Sequence, residues 1–170
     1  MAAVIEKYEA SLREFIQSQA DTILKRPVHY LKHPFVDPGS IYDGNLWDWD
    51  SFWAVYALLN LVDGNEADAE KRERYLLHAK GNVRNFLDYQ MEDGYIPMMI
   101  ATLDRKSDLP EPYLNLKRRE GVITNMHKPF LCQQVALIGG FGGDYSWIAE
   151  DYAKLEAYFE CYDRFYFNEA

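Results

Sequence analysis

Cysteine is nearly missing from this chain: Cys132 and Cys161 are the only two in 170 residues. They show no metal-ligand spacing and are too few for a disulfide framework, which predicts two reduced, structural thiols and a cytoplasmic location. Positive charge is scarce as well. Eighteen Lys and Arg stand against 27 Asp and Glu, for a formal net charge of −9. Such a surface cannot neutralise a run of phosphates, so no nucleic-acid partner is expected. The short basic clusters Lys71, Arg72, Arg74 and Lys117, Arg118, Arg119 read as solvated faces. No apolar run approaches the roughly 18 residues that a membrane span needs, so no membrane partner is expected. The chain also opens without a basic stretch followed by an apolar one, and with no such signal it reads as unsecreted. His29, His33, His78 and His127 are scattered without a ligand spacing. No zinc box, phosphate loop or nucleophile triad occurs, and neither a metal nor a cofactor is expected.

Aromatic residues, in contrast, are plentiful. Thirteen Tyr, nine Phe and four Trp make up 15% of the chain, and hydrophobic residues 48%, which is the composition of a folded chain with a core. Their spacing is helical. Ile5, Tyr8, Leu12, Phe15, Ile16, Ile23 and Leu24 predict a first helix over 2–25. A loop broken by Pro27, Pro34, Pro38 and Gly39 leads to a second helix from Trp49, apolar nearly all round and stopped by Asp63-Gly64. A third, over 66–90, starts with acidic residues and sets Leu76, Ala79, Val83, Phe86 and Leu87 on one face. Residues 91–125 read as a long connection, of the kind that is functional or disordered. A fourth helix is expected over 127–139, ending at Gly139-Gly140. A fifth, over 145–167, has Asp144 as its N-cap. No alternating strand run is present. The chain reads as a single all-α domain over 1–170 with about five helices.

The densest chemistry lies in Tyr42-Asp43-Gly44-Asn45-Leu46-Trp47-Asp48-Trp49-Asp50-Ser51-Phe52-Trp53, with three carboxylates and three tryptophans in twelve residues. Aromatic faces stack on the C–H faces of sugars, and carboxylates accept hydrogen bonds from sugar hydroxyls. A binding site combines a few placed polar groups with an apolar wall, and this segment offers both. The competing reading is structural: a helix start with Asp48 or Asp50 as N-cap and the tryptophans as core. Capping and sugar contact can also coexist at one helix end.

The run Leu46-Trp47-Asp48-Trp49-Asp50-Ser51-Phe52 resembles the Trp-Asp-Ser-Phe/Tyr signature of (α/α)6-toroid glycosidases, found in trehalase-like families and in glycoside hydrolase family 63. It is most similar to bacterial family 63 enzymes of the glucosylglycerate or mannosylglycerate hydrolase type. Asp93-Gly94-Tyr95-Ile96-Pro97 is similar to an Asp-Gly-x-Ile-Pro segment of those enzymes. Asn125-Met126-His127-Lys128-Pro129 stands where they carry Gln-Pro-Pro and keeps only the last proline. The three segments follow the family's order. The resemblance implies an incomplete (α/α)6 toroid and an inverting α-glycosidase acting on small α-glucosides or α-mannosides. It implies substrate-binding roles for Asp50, with Trp49 and Trp47 as stacking walls, and Tyr42 is a further candidate wall. Asp43 is a further candidate on its proximity in the segment.

Inverting hydrolysis uses two carboxyl groups roughly 6.5–9.5 Å apart. The resemblance implies an acid Asp and a base Glu beyond Ala170, so no catalytic residue is expected within these residues. Asp48 and Asp50 lie two apart on a helix and point to different sides, which prevents them from flanking one bond. A small sugar or glycoside is the expected partner. Two alternatives stay open: a non-catalytic carbohydrate-binding module, and an all-helical protein that self-associates through exposed aromatic faces.

Overall fold

The computed structural model describes residues 2–64, 66–100 and 125–166. It is mostly helical, as expected. Five α-helices follow in order: α1 (Ala2–Ile23), α2 (Asp48–Leu61), α3 (Ala69–Leu87), α4 (Leu131–Gly142) and α5 (Tyr152–Tyr166). Short 3-10 turns occupy Ser40–Tyr42, Glu66–Asp68 and Ser146–Asp151. The basic cluster at 117–119 and much of the connection over 91–125 lie outside the described residues.

Two small antiparallel ladders depart from the all-helical expectation. β1 (Leu24–Lys25) pairs with β2 (Phe35–Val36), and β3 (Leu46–Trp47) pairs with β4 (Met99–Ile100). Each strand is two residues long, too short for alternation to register in the sequence. Their role is to lash loops onto the helical body.

The core is built on α3. Its Tyr75, Leu76, Ala79, Val83, Phe86 and Leu87 are buried together with Val55, Leu58 and Leu59 of α2 and Leu131, Val135 and Ile138 of α4. Two polar residues of α3, Asn82 and Asn85, are buried too, for a specific reason. Asn82 Oδ1 accepts the Val36 N–H at 2.7 Å, and Asn85 binds both the N–H and the carbonyl of His33 at 3.0 Å. The two asparagines thus satisfy one N–H of β2 and the backbone of His33 in the loop before it. Gly81 lets the loop come close: a Cβ there would lie 1.7 Å from the Pro34 carbonyl oxygen. Gly94, at φ +87°, does the same against α5, where a Cβ would sit 1.9 Å from the Ala157 carbonyl oxygen.

Several helix ends differ from the sequence expectation: α1 stops at Ile23, α3 spans Ala69–Leu87 within the expected 66–90, and α4 starts at Leu131, four residues late. α4 continues through Gly139 and Gly140 to Gly142 and ends at Gly143 in the left-handed conformation (φ 67°, ψ 14°), which only a glycine adopts without strain. The fifth helical segment is split. Asp144 accepts the Ser146 N–H at 2.8 Å and its hydroxyl at 2.7 Å, but it opens the 3-10 turn rather than an α-helix, and α5 starts only at Tyr152. Neither Asp48 nor Asp50 is the N-cap of α2. That position falls on Trp47, and the two acids occupy the first turn, at the positive end of the helix dipole.

Helical spacing does not mean cover on two of the helices. Val4, Ile5, Tyr8, Leu12 and Phe15 of α1 are 55–70% exposed, and only Ala20 of that helix is fully buried. On α5, Leu155, Tyr158 and Cys161 face the core while Tyr152 and Phe159 are exposed. Among the described residues no helix is long and apolar enough to cross a membrane.

Candidate functional site

The segments at 46–53, 93–97 and 125–129 meet in space. The Asp48 N–H donates to the Met98 carbonyl at 2.9 Å, the Met98 N–H to the Asn125 carbonyl at 2.9 Å, and the His127 N–H to the Ile96 carbonyl at 2.8 Å. The Tyr95 hydroxyl reaches the Asn125 carbonyl at 3.2 Å. Around this junction the first turn of α2, the approach to α4 and the inner face of α5 form one structural unit.

Its outer surface is aromatic. Trp49, Trp53 and Tyr56 follow at i, i+4 and i+7 on α2, on one face of the helix, and each is 46% exposed. Phe130, at the N-cap of α4, completes the wall. Its ring lies 5.1 Å from Trp49 edge-on and 4.9 Å from Phe52 in a stacked arrangement. Trp49 meets Trp53 at 6.1 Å, and Trp53 meets Tyr56 at 6.0 Å. Mutual edge-to-face contacts of this kind hold the rings still, which leaves a rigid, half-exposed apolar ledge.

The three carboxylates have separated fates. Asp50 is exposed, on the first turn of α2, and makes no hydrogen bond or ion pair among the described residues. Asp48 is buried. Its Oδ1 accepts the Trp49 N–H at 2.6 Å, its Oδ2 accepts the Lys128 N–H at 2.7 Å, and the Lys128 ammonium lies 3.3 Å from Oδ1. Asp43 belongs to the loop. Lys25 sits 2.5 Å from it and 3.4 Å from the buried Asp37, whose carboxylate also accepts the Gly39 and Gly44 N–H groups at 2.8 Å. Hydrogen bonding from Lys25 holds Asp43 below the usual carboxylate range, while burial pushes its neighbour Asp37 up. Asp43 is therefore tied into the loop, and Asp50 is the carboxylate of this segment without a side-chain partner among the described residues.

The aromatic candidates separate too. Tyr42, half-exposed at the end of its 3-10 turn, meets Trp47 edge-on at 5.8 Å. Trp47 is half-buried within β3, opposite Met99, with an indole N–H that finds no partner among the described residues. It serves the ladder and backs Tyr42 more than it offers a face. Sequence reasoning missed Trp53 and Tyr56 as site residues, although their spacing from Trp49 was the available signal. Phe130 carried no signal, since it lies outside the aromatic segment and joins it only through the fold.

Beneath the ledge lies a buried polar knot. His127 is fully buried and edge-on to Phe86 at 4.5 Å. Its Nδ1 is 2.6 Å from the Lys128 carbonyl, which also accepts the Tyr158 hydroxyl at 2.6 Å. The Tyr162 hydroxyl donates to the His127 carbonyl. Burial drives the His127 pKa down to about 4, so the ring is neutral at physiological pH, and burial pushes the Tyr158 hydroxyl well up. Among the described residues no group of three or more His, Cys, Asp or Glu is placed to hold a metal ion.

Two clefts open elsewhere. One of about 440 Å³ lies between α3 and the start of α5, lined by His33, Arg84, Asp88, Trp147, Glu150 and Lys154 among others. A larger apolar one, about 970 Å³, runs between α4 and α5 past Val135, Tyr145, Tyr152 and Phe159. Neither is lined by Tyr42, Asp43, Trp47, Trp49 or Asp50. No family model, curated protein or solved structure matches this chain.

Proposed function

We propose that this chain binds a small sugar or glycoside on the ledge of Trp49, Trp53, Tyr56 and Phe130, with Asp50 accepting hydrogen bonds from its hydroxyls. One observation carries the reading: a rigid, half-exposed aromatic wall stands beside an unpartnered carboxylate on the first turn of the same helix. Planar rings match the apolar faces of pyranosides, and a free carboxylate on a preorganised element supplies orientation at little entropic cost.

The finer reading is a part of an (α/α)6 toroid belonging to an inverting α-glycosidase for small α-glucosides or α-mannosides. Its support is the family resemblance of three segments, strengthened by their convergence in the fold. On this reading the residues bind and do not hydrolyse, because of the segment's three carboxylates only Asp50 is free and inversion takes two. The test is a hydrolysis panel of α-glucosides and α-mannosides, glycerate conjugates included, run beside a binding titration. Saturable binding without turnover is expected. Turnover abolished by Asp50→Ala would place the catalytic carboxyls within this chain and overturn the non-catalytic assignment.

A second reading, self-association, has its own observation in the exposed apolar stripe of α1. It is compatible with sugar binding, since α1 and the ledge are different surfaces.

A further inference from the structure

Trp49 and Phe130 form one wall but come from separate parts of the chain. The ring contact, edge-on at 5.1 Å, sets how the two rings meet, but ring contacts do not by themselves fix where the two backbones lie. Hydrogen bonds do. Asp48 is the group, among the described residues, that binds the backbone on both sides of the wall. Its Oδ1 takes the N–H of Trp49 itself at 2.6 Å, and its Oδ2 takes the N–H of Lys128, 80 residues away and two before Phe130, at 2.7 Å. The Lys128 ammonium, at 3.3 and 3.4 Å, balances the charge from the solvent side.

The segment carrying Phe130 is pinned from behind as well. The Tyr158 and Tyr162 hydroxyls bind the Lys128 and His127 carbonyls, and the His127 N–H binds the Ile96 carbonyl. α5 and residues 96–98 set its depth, and Asp48 sets its place along α2. The carboxylate is 1% exposed, so it is closed to a ligand. A buried charge is retained where its bonds are nearly complete, and losing one partner is costly.

From this geometry we infer that Asp48 is a positioning residue of the ledge: it fixes Phe130 against Trp49 by binding both backbones and touches no ligand itself. The consequence for affinity rests on the sugar-binding reading, whereas the geometric claim does not.

Five proteins test it: wild type, Asp48→Ala, Asp48→Asn, Lys128→Met and, as the spectral reference, Phe130→Leu. Each is measured by near-ultraviolet circular dichroism and by calorimetric titration with methyl α-glucoside and methyl α-mannoside. The difference spectrum between wild type and Phe130→Leu marks the band that Phe130 contributes through its contacts with Trp49, Trp53 and Phe52. Asp48→Ala should lose most of that band, with far-ultraviolet helicity kept, and should weaken glycoside binding about tenfold or more. Asp48→Asn leaves one carbonyl acceptor for two N–H donors and should fall between, so it decides the matter if the alanine variant does not fold. Lys128→Met keeps the backbone N–H at that position and removes only the half-exposed ammonium, so it should lower stability but leave the band and the binding of the folded protein within about twofold of wild type. An unchanged band in the folded Asp48 variants overturns the inference. Damage by Lys128→Met equal to that of Asp48→Ala also overturns it, by assigning the effect to the ion pair. If wild type binds neither glycoside, the sugar reading fails, and the spectra still decide the role of Asp48.

Discussion

Burial sets the chemistry of His127. The ring packs against Phe86 and Tyr158, and its neutral form is held by Nδ1 against the Lys128 carbonyl while Nε2 has no partner among the described residues. With a folded pKa of about 4 against about 6.5 unfolded, the unfolded chain takes up the proton first as pH falls. The contribution to stability is complete above about pH 6.5 and is lost progressively toward pH 4, by up to roughly 3 kcal/mol. Asp37 works in the opposite direction, since burial raises its folded pKa, so the His127 component must be read by difference. Urea unfolding at pH 7.5 and 4.5 should show His127→Gln less stable than wild type at the higher pH but with a shallower decline. Parallel declines in the two proteins would show that His127 does not titrate between the states.

At the scale of elements, the helices divide their glycines into those that are needed and those that are not. Gly81 in α3 and Gly140 in α4 are both helical. A Cβ at Gly81 meets the Pro34 carbonyl at 1.7 Å, while a Cβ at Gly140 meets nothing within 4 Å. Gly81→Ala should therefore destabilise by about 1–3 kcal/mol through forced displacement of the loop. Gly140→Ala should stabilise by about 0.5–1 kcal/mol through helix propensity. Thermal melts of the two variants check both signs. The same contrast explains why the sequence suggests an early end to α4: two adjacent glycines look like a stop, and only the packing shows that the stop is Gly143. Helix existence was legible throughout because 3.6-residue periodicity survives in the sequence. Exposure was not, because periodicity reports which residues share a face and not whether anything covers it. That is why the spacing of Ile5, Tyr8, Leu12 and Phe15 predicts a helix without telling that these residues lie open. For the same reason the division of labour between Asp48 and Asp50 was hidden. It depends on Lys128, and no local pattern connects residues so far apart.

At the scale of the molecule, the described residues present unlike surfaces, among them an aromatic ledge with an exposed acid, an apolar stripe along α1, and an apolar cleft between α4 and α5. Exposed apolar area of this extent favours association. Light scattering across a concentration series should show a mass that grows with concentration, and Leu12→Lys with Phe15→Lys should suppress that growth without reducing helicity. Equal masses for both proteins at all concentrations would remove α1 as a contact surface. The ledge is a separate matter, since its rings are fixed by one another and by the junction below, whatever α1 does. The most direct test of the account is calorimetric titration of wild type, Trp49→Ala and Asp50→Ala with methyl α-glucoside and methyl α-mannoside. The account predicts saturable binding of at least one glycoside by wild type, lost in Trp49→Ala and weakened about tenfold in Asp50→Ala, with all three proteins equally helical. No saturable binding by wild type, or binding indifferent to both substitutions, would contradict it.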